Sequence, residues 1–289
     1  MSGASWRYAF ASTAGTAHTR RGLPCQDASV CQLVPAGDGP PVLVALAADG
    51  AGSASRAEIG AQLACAFLLD EIRTFLAAGA ALSDLSREVV AGLLRELQSR
   101  IGAQADAEGL TPRDFAATLV AAVLGASEAI FFQVGDGAIV VSSPEDAEAY
   151  SWVFWPASGE YENTTFFLTD GEVERHLSWE RSERPLDQLA LFTDGLQRLA
   201  LHFQSRTAHA PFFRSKLRVL ENAADAAPET LSNQLARFLA SPEVDARTDD
   251  DKTLILATRR QPASSPETPE TPKEPPPDDA ADAGADGLR

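Results

Sequence analysis

Three times in this 289-residue chain an apolar run stops at Asp-Gly. VLVALAADG ends at Asp49-Gly50, AIFFQVGDG at Asp136-Gly137 and QLALFTDG at Asp194-Gly195. TDDDKTLILAT runs the other way, with Asp249, Asp250 and Asp251 ahead of the apolar stretch. Each run has the length of a buried strand and falls well short of the ~20 residues that cross a bilayer. A single Asp-Gly after a strand reads as a turn. Four aspartate sites at strand ends exceed what turns require. Glycine after the carboxylate lets the backbone turn sharply and brings its carbonyl close to the same ligand.

Composition narrows what those carboxylates serve. The formal charge is −17, from 41 acidic and 24 basic residues, which disfavours nucleic acid or an anionic membrane surface as partner. An apolar share of 45% suits a globular protein with a sizeable core. Cys25, Cys31 and Cys65 are too few and too irregularly spaced for a disulfide framework or a zinc site, and they suit a reducing compartment. The first residues, MSGASWRYAFAST, lack the charged-then-apolar layout of a signal peptide. A cytoplasmic protein is expected.

Read in order, Trp6 to Ser12 is expected to be a strand, followed by a polar segment from Thr13 to Asp27. Strands at 29–34 and 42–48 flank a turn at 37–41. A helix is expected over 55–77, and a second opening at Ser83 with Val89, Leu93, Leu97 and Ile101 as its apolar stripe. Two consecutive helices after a hairpin argue against strict βαβ alternation. Runs at 116–124, 129–134 and 138–142 look like an antiparallel meander. The stretch 143–163 is poorly patterned; further strands are expected at 164–169, 189–193 and 253–258. Helices are expected at 196–202, at 211–222 and from Pro228 onward. Residues 261–289 hold seven of the 18 prolines and seven acidic against two basic residues, the composition of a disordered acidic tail. The expected organisation is a folded unit over 1–260 and that tail.

Hard divalent cations such as Mg²⁺ and Mn²⁺ take carboxylate, carbonyl and water oxygens. Two such ions sharing a carboxylate activate water and neutralise a phosphoryl group under in-line attack. The chemistry needs carboxylates from distant parts of the chain, each fixed at a strand end, and Asp49, Asp136, Asp194 and Asp250 meet that need. No Gly-x-Ser-x-Gly and no phosphate-cradling Gly-x-x-x-x-Gly-Lys is present.

Six motifs in order carry a family resemblance: GLPCQD (22–27), ADGAGS (48–53), AATL (116–119), VGDG (134–137), FTDGL (192–196) and DDKT (250–253). Together they resemble the protein phosphatase 2C family of metal-dependent serine/threonine phosphatases. GTAHTRRGLPCQDA (15–28) and GEYENTTFFLT (159–169) are similar to a bacterial branch of it. The resemblance implies an α+β fold, a four-layer α-β-β-α sandwich of two mostly antiparallel sheets flanked by helices. It implies two Mn²⁺ or Mg²⁺ ions, with a third in some members, and hydrolysis of phosphoserine or phosphothreonine by a hydroxide shared between the metals. Asp49 would bridge the two ions, Gly50 would offer its carbonyl, and Asp194 and Asp250 would bind the second. Asp136 would help hold the third, and Asp27 would order water behind the ligands. Asp250 is chosen over its neighbours because it lies three before Thr253, as in the family's Asp-Asn-x-Thr motif, with Asp251 in place of the Asn.

The chain departs from that family at three positions. Gly22 stands where many members carry a phosphate-binding arginine, so Arg20, Arg21 and His18 are the candidates for the substrate phosphate. Gln26 replaces a water-ordering glutamate. Ala51 replaces a histidine proposed elsewhere as the general acid. A phosphoprotein substrate is implied, with a cognate serine/threonine kinase as a further partner. Two alternatives remain open: a phosphatase-like module that binds a phosphoprotein or regulatory partner without turnover, and an interaction protein that works through its acidic tail.

Overall fold

Why the central runs are apolar throughout, rather than alternating, becomes clear from where they lie. In the computed structural model, which describes residues 5–37, 39–156, 165–223 and 226–260, two five-stranded sheets face each other. The expected tail, Asp38 of the 37–41 turn and the first part of GEYENTTFFLT lie outside the described residues. One sheet has the order β1-β12-β9-β6-β7: β1 (Arg7–Thr13), β12 (Lys252–Thr258), β9 (Gln188–Phe192), β6 (Ala138–Ser143) and β7 (Asp146–Trp152). The other has the order β2-β3-β4-β5-β8: β2 (Ala28–Val34), β3 (Val42–Ala48), β4 (Leu119–Leu124), β5 (Ala129–Val134) and β8 (Ser178–Ser182). Every pairing within them is antiparallel. A small ribbon pairs β10 (Leu201–His202) with β11 (Thr207–Ala208).

Each inner strand is covered on both faces. Val42, Val44, Leu46 and Ala48 of β3 pack under α2 (Ala57–Ala77) and α3 (Arg87–Glu108). Leu43, Ala45 and Ala47 point the other way, against Leu189, Leu191 and Ile255 of the opposite sheet. The outer face of that second sheet carries α6 (Ala210–Asn222) and α7 (Pro228–Leu239), with Phe213, Leu217, Leu231 and Leu239 in the contact. Three stacked apolar layers result, each fully buried Leu or Phe contributing about 1.5–3 kcal/mol. This is the expected four-layer α-β-β-α sandwich. The strand ends are therefore held by packing on two sides.

Several local expectations are corrected. The second long helix opens at Arg87 rather than Ser83. Ser86 is its cap, its Oγ accepting the Val89 N–H at 3.3 Å, while Leu82–Asp84 forms a single 3-10 turn closed by Asp84 on the Ala81 N–H. Its buried stripe runs through Val90, Leu94, Leu97 and Ile101, leaving Val89 and Leu93 half-buried. The expected three-strand meander is a hairpin of β4 and β5 followed by a hop, because β6 joins the opposite sheet. Gly135, at φ +104°, makes that hop possible. Residues 165–169 are not a strand; Asp170 Oδ2 accepts the Phe167 N–H at 2.8 Å and folds the segment into a turn. Residues 196–202 hold only the short helix α5 (Gln197–Ala200) before β10. β7 and β8 are edge strands with polar outer positions, so their pattern is weak in sequence. The short helices α1 (Thr16–Arg20), α4 (Val173–His176) and α8 (Pro242–Asp245) are likewise below what periodicity resolves.

Lys252 gives the fold a testable asymmetry. Its side chain is fully buried and its Nζ lies 2.5 Å from Asp245 Oδ1, which keeps some solvent access. Asp245→Ala should lower unfolding stability by about 3–5 kcal/mol, because it leaves a buried ammonium unpaired. Lys252→Met should cost far less, measured by urea unfolding; equal losses from both would contradict this reading.

Candidate metal centre

The strand register brings the aspartates to one end of the sandwich. Ala28 pairs with Ala48, so Asp27 and Asp49 leave neighbouring strands side by side. Ala138 pairs with Phe192, so the turn carrying Asp136 emerges beside Asp194. Phe192 pairs in turn with Leu254, so Asp250 and Asp251 approach from the next strand. Carboxylate oxygens of Asp49, Asp136 and Asp194 all lie within 4.8 Å of one another. The Asp49 carboxyl also feels the charges of Asp27 and Asp250.

Neutral donors hold this cluster in place. Asp27 Oδ2 accepts hydrogen bonds from Thr193 Oγ1 at 2.9 Å and Thr253 Oγ1 at 2.7 Å, and a hydroxyl chain continues through Ser12 to Ser29. Asp27 Oδ1 is buried and has no hydrogen-bond partner. Asp136 Oδ2 accepts from Thr165 Oγ1 at 2.8 Å, and its carbonyl accepts from Gln197 Nε2 at 2.5 Å. Gly50 N–H donates to the Gln26 carbonyl at 3.2 Å, tying the Asp-Gly turn to the preceding loop. No arginine or lysine among the described residues pairs with Asp27, Asp49, Asp136, Asp194 or Asp250.

Burial and mutual repulsion make the cluster uncomfortable without a cation. Desolvation first, then neighbouring carboxylates, push Asp49 well above the ordinary carboxylate range. Burial raises Asp27 to about 7 against the opposing pull of its two threonine donors. Asp194 rises to about 6, again chiefly by burial, with Asp136 and Asp250 adding repulsion. Asp250 sits in the most open position and moves the same way, from partial burial and then the charge of Asp251. An all-oxygen donor set, an orphaned buried carboxylate oxygen and no basic partner fit Mg²⁺ or Mn²⁺.

Asp251 does work that the sequence left unread. Its Oδ1 accepts the Gly15 N–H at 2.7 Å and its Oδ2 accepts the Gln26 N–H at 2.6 Å, so one buried carboxylate clamps both ends of the 15–26 loop onto β12. His18 is buried, with Nδ1 2.7 Å from Asp251 Oδ1 but not aligned as a hydrogen bond. Ala17 N–H donates to the Asp249 carbonyl at 2.9 Å, docking α1 on the same segment. Arg20 and Arg21 are exposed at the end of that helix and make no ion pair among the described residues. At Gly195 a Cβ would lie 1.9 Å from the Asp251 carbonyl oxygen, so only glycine lets the Asp194 turn approach this strand. Thr193, Thr253 and Asp251 were hidden in sequence because each acts by hydrogen bonding across strands. Ala51 is buried with Ala54, Ala57 and Ala116 and packs against Phe167.

Beside the cluster, a cavity of about 580 Å³ is lined by Ala51, Arg113, Asp114, Thr165, Phe167 and Asp170. Arg113 is exposed there. Thr165 links this cavity to Asp136 directly.

The sequence profile of protein phosphatase 2C matches residues 14–240. The chain is 37% identical over 255 residues to serine/threonine-protein phosphatase 3 of Escherichia coli (strain K12), covering 88% of this chain and 98% of that one. In fold it is similar to the serine/threonine phosphatase Stp1 from Staphylococcus aureus, with a TM-score of 0.57, 16% identity, and coverage of 89% of this chain and 96% of that one. The S. agalactiae serine/threonine phosphatase gives a TM-score of 0.59 at 15% identity, over 88% of this chain and 99% of that one. This chain belongs to the protein phosphatase 2C family.

The raised carboxylates fix the sign of a pH effect. A carboxyl whose folded value lies above its unfolded value (about 3.9) binds more protons when folded, so metal-free stability falls as pH rises from about 4 through the values of about 6 and 7 held by Asp194 and Asp27. The metal-free protein should therefore melt at a higher temperature at pH 5.5 than at pH 8. Mg²⁺ should raise the melting temperature most at pH 8, and Asp49→Asn should flatten both effects. An Asp49→Asn protein with the wild-type pH dependence would contradict the assignment.

Proposed function

We propose that this chain is a metal-dependent phosphoprotein phosphatase acting on phosphoserine and phosphothreonine. The observation that carries the reading is the convergence of Asp49, Asp136 and Asp194 within 4.8 Å at the end of the sandwich, with no arginine or lysine paired to them among the described residues. Bound Mg²⁺ or Mn²⁺ ions would supply a nucleophilic water at neutral pH and offset phosphoryl charge. Asp49 is assigned to two ions, with the Gly50 carbonyl beside it; Asp194 and Asp250 are assigned to the second. Asp136 is assigned to a third.

The remaining residues position water and substrate. Asp27, fixed through Oδ2 by two threonines, keeps Oδ1 to accept a hydrogen bond from water in the site. The phosphorylated side chain enters by the cavity beside Ala51, with Arg113 facing it and Arg20 and Arg21 as candidate phosphate partners on the clamped loop. Ala51 has no proton to give, so the leaving alkoxide takes its proton from water in the cleft. A serine/threonine kinase is the class of enzyme that supplies such a substrate.

Purified protein should hydrolyse p-nitrophenyl phosphate and a phosphothreonine peptide in a Mn²⁺-stimulated manner. Asp49→Ala and Asp250→Ala should each lower kcat by about 10²-fold or more. Protein that is inert with both metals, or an Asp49→Ala rate equal to wild type, would sink the proposal. Calorimetric metal binding without turnover would instead favour a phosphatase-like binding module.

A further inference from the structure

A second cavity, of about 540 Å³, opens between α5, β10, α6 and α8. Its charged and imidazole side chains are Arg198, Lys216, Arg247, His202 and His209, against the single carboxylate of Glu243. In a chain of net charge −17 that local balance is inverted. Among the described residues none of the three cations makes an ion pair. Asp245, on the same short helix as Glu243, is already engaged by Lys252 at 2.5 Å. Lys216 is half-buried, with Nζ 4.0 Å from the Phe238 ring centroid and 5.8 Å from that of Phe212. Burial holds its ammonium below the ordinary lysine value, and the aromatic faces offset part of that loss.

Two imidazoles share the wall of this cavity and report on what enters it. The His209 ring lies 4.8 Å from that of His202, and its Nδ1 is 3.1 Å from the Leu199 carbonyl. A carbonyl only accepts, so Nδ1 carries the hydrogen and is spent on Leu199, leaving an anion's charge to the three cations. The cavity also adjoins the arms that carry two of the assigned metal ligands. Arg198 follows Gln197, which contacts Asp136, and Arg247 precedes Thr248, whose Oγ1 accepts the Asp250 N–H at 3.3 Å.

We propose that this cavity is a second anion-binding site, separate from the carboxylate cluster, for a phosphate- or carboxylate-bearing organic anion. Arg198, Arg247 and Lys216 meet its charge, and Phe212 and Phe238 pack against its apolar part. The same chemistry reaches the protein either as a free small molecule or as an acidic or phosphorylated flank of the substrate.

The chain has four histidines, so their C2–H proton resonances form a short, assignable set by His→Gln substitution. Phenylphosphonate, an aromatic dianion with no ester to hydrolyse, is titrated into Mg²⁺-supplemented protein. The His202 and His209 signals should shift saturably, and Arg198→Ala/Arg247→Ala should weaken the apparent affinity about tenfold, or about 1.4 kcal/mol. A second arm, which rests on the phosphatase reading, compares KM for phosphothreonine peptides with and without acidic flanks. A KM increase confined to the acidic peptide in the double variant assigns the site to substrate; unchanged KM values with phenylphosphonate binding lost assign it to a free ligand. Histidine signals that stay still, or that move equally in wild type and double variant, would overturn the proposal. Because the first arm reads binding, an inert enzyme does not confuse its outcome.

Discussion

The carboxylates of Asp27, Asp49, Asp136, Asp194 and Asp250 crowd the end of a sheet sandwich, and among the described residues no arginine or lysine relieves their repulsion. Asp27 is anchored by hydroxyls and Asp136 by a threonine, while the neighbouring Asp251 is held by main-chain N–H groups. These donors are neutral, so they fix direction while leaving negative charge to be met by something else. Arginine partners would have lowered the carboxyl values and neutralised the charge that a cation would otherwise meet. The site is electrostatically unfinished by construction.

Such a cluster persists only on a scaffold stiff enough to hold like charges together. That stiffness comes from strands buried on both faces, with β3 packed between α2 and the opposite sheet. Asp251 extends the same logic to the 15–26 loop, which would otherwise be a polar surface segment free to move away from Asp49. The opening beside Ala51 lies where an alanine-lined surface meets the cluster.

Much of this was legible in sequence because each cluster member sits at a period break. An apolar run that ends in Asp-Gly announces both a strand and where its last carboxylate points, and the 42–48 and 189–193 strands are found within a residue or so of those limits. The sheet assignment was not legible. β6 crosses to the other sheet through a turn that holds Gly135 at φ +104°, and the apolar runs on either side do not announce the crossing. The edge strands β7 and β8 escaped because edge positions are polar, and Ser86 rather than Ser83 capped α3 because Asp84 is consumed by its own turn. In the site, Asp251 reads from sequence only as a substitution for an asparagine. Its clamp is a contact across more than 200 residues, visible only once β12 is folded against the first loop.

The claim that the cluster is built for divalent cations is tested most directly by isothermal titration calorimetry of Mg²⁺ and Mn²⁺ near pH 6.5, in buffers of different ionisation enthalpy. Carboxyls raised by burial must release protons when a cation replaces them. Binding should therefore show a buffer-dependent heat in wild type that Asp49→Asn greatly reduces. Binding with no proton release, or an Asp49→Asn isotherm that overlays the wild type, would contradict the account.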